Sequence, residues 1–218
     1  MNLKNTKTIF LDYDGTLHNS MDIYKPAFLN AFEWLVKENH MEDKNWTDEE
    51  ISQFLGQSPK EMWDGFGHGL SQSIKSGGSQ RIGQTMQKLL EQKKASLFDG
   101  AIDTLQYLKN KGYTLVFISN CTNQYMNKHK ETFNLDHYFD AFFNAEMFDY
   151  LPKEDILSQV KDQFKEPMVI IGDRLHDIKA GKDNDIYTIG CAYGFGTKEE
   201  MEQADLVIDD IKELKTIF

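Results

Sequence analysis

Two aspartates stand one residue apart near the start of the chain, in the stretch "TIFLDYDGTLHNS" from Thr8 to Ser20. They follow directly on an apolar run. Side chains alternate along an extended strand, so Asp12 and Asp14 tend to one side and Tyr13 to the other. Two carboxylates that close, in a partly buried place, are costly unless a cation or a shared proton compensates. An Asp-Gly turn accounts for Asp14 and Gly15 on local backbone grounds but leaves Asp12 unexplained. Further along, Ser119 closes the apolar run "TLVFIS", Asp173 closes "MVIIGD", and Asp177 follows four residues later. Lys153 opens the helical stretch "KEDILSQVKDQF". Parallel strands converge at their carboxyl ends on one crevice, so Asp12, Asp14, Ser119 and Asp173 are predicted to meet there, with Asp177 joining from the following loop or first helical turn. Three or four gathered carboxylates call for a hard cation with oxygen ligands, most plausibly Mg²⁺. Lys153 would be the one fixed positive side chain.

The elements that must position these groups are an alternation of strands and helices. Four runs, 8–12, 114–119, 168–173 and 186–190, are nearly continuous in apolar residues, as parallel strands covered on both faces should be. The spacing predicts a helix over 101–112, with Ile102, Leu105 and Leu108 on one face and Gly112 as its C-terminal cap. A second covers 153–164, with Ile156, Leu157, Val160 and Phe164 aligned. This alternation predicts an α/β fold, a Rossmann-like parallel sheet with helices on both faces. About a hundred residues after Asp14 hold no convincing strand. There 26–40 reads as an amphipathic helix, and "TDEE" and "SPKE" as capped helix starts. "KSGGS" (75–79) reads as a turn between helices, and "GFGHGL" (65–70) as a turn rather than a phosphate loop. The predicted organisation is a core of 1–16 and 98–218, with a helical insert at 17–97.

Composition narrows the partners. The 218 residues are ordinary for a globular protein, 40% hydrophobic and 27% charged, and the formal net charge of −11 argues against a nucleic-acid surface. An anionic substrate needs a local positive site against that background, and only Arg81 and Arg174 are arginines. Cys121 and Cys191 are too few for a disulfide framework, which points to a reducing cytoplasm, with Cys121 read as a buried free thiol. No signal-peptide h-region and no run of about 18 apolar residues is found, so no membrane association is expected.

"DYDGT" after an apolar strand, "FISN", a helix-starting Lys and "GDRLHDIKAG", taken together and in this order, resemble the haloacid-dehalogenase-like phosphatase superfamily. The tail "GDRLHDIKAGKDNDIYTIGCAYGFGTKEEM" is most similar to its phosphoglycolate-phosphatase-like branch. The resemblance implies a phosphatase acting on a small phosphorylated metabolite, with the insert as a helical cap. It implies Asp12 as nucleophile forming an aspartyl-phosphate, and Asp14 as general acid and then base. Ser119, Asn120 and Lys153 would hold the phosphoryl oxygens. Asp12, Asp173 and the Asp14 backbone carbonyl would bind Mg²⁺, with Asp177 as a further or water-mediated ligand. An aspartate at 14 favours a phosphomonoester over a carbon-halogen bond, because an alkoxide leaving group needs that acid.

The sequence departs from the family pattern in two places. The helix-starting Lys is usually followed by Pro, whereas Pro152 precedes Lys153; Lys128 is the next candidate. The residue after Asp173 is often Ser or Thr but is Arg174, which could face the cap or substrate, or pair with a neighbouring acid at the surface. A phosphosugar mutase is the second reading, but the histidine it would need has no counterpart, and His18 reads as an exposed loop histidine. A non-catalytic binding protein on the same fold is the third. In the insert, Lys60, Trp63, His68 and Arg81 are the polar or aromatic residues that could touch a leaving group, though each is expected to be structural or solvated, with the aromatic residues packing the helices together.

Overall fold

The computed structural model describes residues 3–218; Met1 and Asn2, with which the expected core begins, lie outside them. After β1 (Thr8–Leu11) come α1 (Met21–Lys37), α2 (Asp48–Ser52), α3 (Pro59–Phe66), α4 (Gln72–Glu91) and α5 (Ala101–Asn110). There follow β2 (Thr114–Ser119), α6 (Asn123–Phe133), β3 (Ala141–Asn144), α7 (Lys153–Val160), β4 (Met168–Gly172) and α8 (Leu175–Asp183). The chain closes with β5 (Tyr187–Cys191), α9 (Lys198–Met201), β6 (Leu206–Ile208) and α10 (Leu214–Ile217). It divides into two compact units, one running to Asn19 and resuming at Leu97–Phe218, the other Ser20–Ser96. Among the described residues no helix is long and apolar enough to cross a membrane.

The strands of the first unit form one parallel sheet in the order β3-β2-β1-β4-β5-β6. β1 is central because every one of its residues is apolar or small enough to be buried on both faces. Ile9 and Leu11 face a core shared with Leu105, Leu108 and Leu214, while Phe10 faces another shared with Ile156, Leu157 and Val160. Each such side chain contributes roughly 1.5–3 kcal/mol on full burial. The sheet order reverses beside β1, with β2 on one flank and β4 on the other, which is where an open α/β sheet leaves a crevice. β3 and β6 were absent from the predicted strands. They are edge strands of four and three residues with partly exposed patterns, too short for a periodicity to register.

Several boundaries also differ. The helix predicted over 101–112 ends at Asn110, with Gly112 at φ 86° turning the chain out. The one predicted over 153–164 ends at Val160 and tightens into a 3₁₀ turn, Lys161–Gln163. Leu17, expected in the insert, lies in the core of the α/β unit, and Phe98 N–H donates to its carbonyl.

In the second unit α1 starts at Met21 rather than at Pro26, because Ile23 and Tyr24 extend the buried stripe of Ala27, Phe28, Ala31, Phe32 and Leu35. That burial outweighs the one hydrogen bond Pro26 cannot donate. α1 stops at Lys37, and Asn39 at φ 57° turns the chain. Thr47 and Ser58 form capping boxes with Glu50 and Glu61. "KSGGS" is not a turn: α4 runs through it unbroken. A Cβ on Gly78 would stand 2.6 Å from the Trp63 ring, so this glycine serves close helix packing rather than chain reversal. Phe28, Trp46, Phe54 and Phe66 fill the space among the helices, with Phe28 and Trp46 edge to face at 4.9 Å.

Candidate active site

Asp12 is the first residue after β1, and its N–H donates to the Ile171 carbonyl at 2.9 Å, so it sits beside the end of β4. Asp173 follows β4 directly, and Asp177 lies in the first turn of α8. Donor oxygens of Asp12, Asp173 and Asp177 lie within 4.8 Å of one another, and all three residues are buried. Lys153 opens α7 and is itself buried; its Nζ donates to Asp12 Oδ1 at 2.8 Å and to Asp177 Oδ1 at 2.5 Å. Asp177 Oδ2 accepts from the Arg174 N–H at 3.0 Å. Asp173 Oδ2 accepts from the Phe195 N–H at 2.7 Å, and its Oδ1 from Thr16 Oγ1 at 3.5 Å.

Three carboxylates against one ammonium leave the group short of positive charge. Burial and the Asp177 carboxylate push Asp12 up to about 7, against the pull of Lys153. Burial, Asp12 and Asp177 push Asp173 well above the ordinary carboxylate range. Burial alone would lower Lys153, but Asp12 and Asp177 hold it above the usual lysine value. The chain is drawn closely around these groups. A Cβ on Gly15 would stand 2.0 Å from Asp173 Oδ2, one on Gly194 2.3 Å from Asp173 Cβ, and one on Gly172 2.1 Å from Asp177 Cγ. Glycine is required at 15 for a second reason, its φ of 79°. A buried, all-oxygen, strongly negative donor set fits a hard divalent cation.

Ser119 ends β2, is buried, and is hydrogen-bonded to the Cys121 thiol; Asn120 follows, partly exposed. Burial and Asp14 push that thiol up, so it stays protonated. Asp14 is half-buried and does not belong to the carboxylate trio: its Oδ1 accepts from Tyr125 Oη at 2.6 Å and lies 3.0 Å from His18 Nδ1. Lys128 pairs with Glu131 at 3.7 Å, so of the two lysines it is Lys153 that touches Asp12.

Residues 9–191 match the family model described as haloacid dehalogenase-like hydrolase. The chain belongs to this family. Over 224 residues it is 23% identical to a pyrophosphatase PpaX of Anoxybacillus flavithermus, covering 98% of this chain and 97% of the relative. A 5'-nucleotidase of Pseudomonas aeruginosa is 28% identical over 109 residues, 48% of this chain and 49% of that protein. A phosphoglycolate phosphatase of Aliivibrio fischeri is 27% identical over 128 residues, 56% of each. The matches to these last two thus span about half of their length. The crystal structure of a predicted phosphatase from Clostridium acetobutylicum superposes with a TM-score of 0.80 at 23% identity, over 97% of both chains, a likeness of fold.

Within this haloacid dehalogenase-like hydrolase, some placements differ from the sequence reading. His18 is fully buried, not an exposed loop histidine: the Tyr13–His18 turn folds it back, with His18 N–H donating to the Tyr13 carbonyl at 2.9 Å. Arg174 Nε donates to Glu200 Oε2 at 3.1 Å, the ion-pair alternative. Lys60 pairs with Asp64 on the surface, Arg81 lies over the Trp34 ring, His68 is exposed, and Trp63 is buried and donates to Ser79 Oγ. Tyr125 escaped the sequence reading, and Gly194–Gly196 entered it only within the quoted tail, with no role at the site. The four-residue spacing of Tyr125 and His129 on one helix was the available signal for the former.

Proposed function

We propose that this hydrolase is a Mg²⁺-dependent phosphatase that cleaves a small phosphomonoester through a phosphoryl group carried on Asp12. The observation that carries the reading is Asp12 in contact with Lys153 at 2.8 Å, inside a buried carboxylate group whose donors lie within 4.8 Å. Asp12 attacks phosphorus, and its new bond forms as the bond to the leaving oxygen breaks; Asp14 gives that oxygen its proton. Water then attacks the phosphoryl group, its proton passes to Asp14, and inorganic phosphate departs with Asp12 restored. Lys153, Ser119 and Asn120 hold the remaining phosphoryl oxygens, so developing charge meets preset donors. Asp12, Asp173 and the Asp14 backbone carbonyl, with Asp177 directly or through water, would hold Mg²⁺, which would supply charge neutralisation.

The phosphorylated substrates named for the relatives support a small phosphorylated metabolite, with the phosphoglycolate-phosphatase-like branch as the working class. We assign substrate choice to the helical unit, the cap of this reading, since the α/β unit already carries every group named in the reaction. The free thiols of Cys121 and Cys191 support a reducing compartment, the cytoplasm.

The test is phosphate release from p-nitrophenyl phosphate. It is expected with Mg²⁺, lost in EDTA, and reduced by roughly 10³-fold or more in Asp12→Asn. Turnover by Asp12→Asn at the wild-type rate would overturn the covalent route.

A further inference from the structure

The reaction above uses Asp14 but not the side chains that grip it. Tyr125 Oη donates to Asp14 Oδ1 at 2.6 Å, His18 Nδ1 lies 3.0 Å from the same oxygen, and the two gripping atoms are 3.2 Å apart. Both contacts fall on one oxygen, so together they set the torsion of the carboxyl. The grip is itself built in. His18 is brought back beside Asp14 by a bridge between the two backbones, and its ring stacks on Tyr13 with centroids 5.2 Å apart and planes 13° from parallel. His129 stands one helical turn after Tyr125, its ring 4.1 Å from that of Tyr125 and 4.7 Å from that of His18. The Tyr13 hydroxyl is hydrogen-bonded to His129 Nδ1 at 2.7 Å.

We propose that Tyr125 and His18 are positioning residues that hold the Asp14 carboxyl in the orientation from which it protonates the leaving oxygen, with Tyr13 and His129 as the packed wall behind them. The inference rests on the reaction proposed above and deepens it. A carboxyl of a half-exposed aspartate has several rotamers, and proton transfer to a departing oxygen demands one of them. Fixing it costs the least when the donors are ring-bound and immobile, as these are.

The experiment compares two esters of similar size, phenyl phosphate and p-nitrophenyl phosphate, by kcat/KM, which reports the steps up to departure of the leaving group. Nitrophenolate leaves without help from an acid, whereas phenolate needs it more. Tyr125→Phe removes one oxygen and keeps the ring. It is expected to lower kcat/KM for phenyl phosphate by roughly tenfold, a part of the roughly 10²–10⁴ that a general acid supplies, and for p-nitrophenyl phosphate by less than about threefold. His18→Leu is expected to reproduce the selective loss and His18→Asn, which restores a donor near the Nδ1 position, to recover most of it. An equal fall on both esters in a Tyr125→Phe protein that melts like the wild type would overturn the positioning role alone. A wild-type protein inactive on both esters would overturn the phosphatase reading and this inference with it.

Discussion

Suppose the cation is withheld and the pH is raised. Asp12, ordinarily near 3.8, is pushed up to about 7 in the folded protein. The folded state therefore keeps its proton to higher pH than the unfolded chain does, and stability is lost as pH climbs from about 4 through about 7. Three units at 1.36 kcal/mol each put this loss at about 4 kcal/mol for Asp12 alone, with Asp173 shifted in the same direction. In a chain of 218 residues, 1 kcal/mol moves the melting temperature by about 2–4 °C, so the whole effect is roughly 10 °C. A divalent ion among these carboxylates removes the penalty only where they are ionised. The gain in melting temperature from excess Mg²⁺ over EDTA should therefore be roughly 10 °C at pH 8 and small at pH 5. His129, held down to about 3 by burial and His18, works the other way, since its contribution is lost as pH falls below about 6.5. The difference with and without the ion at each pH cancels it. Circular-dichroism melting measures all four states. Asp173→Asn keeps the shape and removes one charge, so it should melt above the wild type in EDTA at pH 8 and gain little from Mg²⁺. A wild-type increment equal at both pH values, or an undiminished increment in Asp173→Asn, would refute the charge-deficit reasoning.

Lys153→Met should leave Asp12 and Asp177 without their shared counter-charge and cost about 3–5 kcal/mol at pH 8 in urea unfolding, with a smaller loss at pH 5 where Asp12 is protonated. In α4, Gly78→Ala should cost about 1–3 kcal/mol because its Cβ would press on the Trp63 ring at 2.6 Å. Gly83→Ala in the same helix, with nothing within 4 Å of the added Cβ, should instead stabilise by about 0.5–1 kcal/mol. If both glycine variants shift the urea midpoint in the same direction, the packing account of "KSGGS" is wrong.

The unbroken helix through Gly77–Gly78 and the burial of His18 have a common origin. Local signals treat glycine pairs as breakers and a polar residue after a turn as solvated. In the folded chain an indole ring occupies the space that a side chain on Gly78 would need, and the Tyr13–His18 turn carries His18 back under Tyr13. Trp63 belongs to another helix, and the rings that enclose His18 beyond Tyr13, those of Tyr125, His129 and Phe133, come from α6. Short edge strands such as Leu206–Ile208 escaped for a related reason: three residues carry no period, and only pairing with β5 makes them a strand.

What the amino-acid sequence determined by itself was the repeating patterns and the polar residues that close the apolar runs. The continuous apolar runs specify buried parallel strands, their polar last residues mark one rim of the sheet, and the capped segments specify helices. It thereby named Asp12, Asp173, Asp177 and Lys153 before any of them could be placed. Only the tertiary structure decided which of these groups touch: that Lys153 reaches both Asp12 and Asp177, that Gly15 and Gly194 close around Asp173, and that Asp14 turns away to Tyr125 and His18. The physical reason is that hydrogen bonds and charge interactions act over a few ångströms in space. A spacing of 111 residues between Asp14 and Tyr125 carries no trace of a 2.6 Å contact until the turn after β1 and the start of α6 have been brought together.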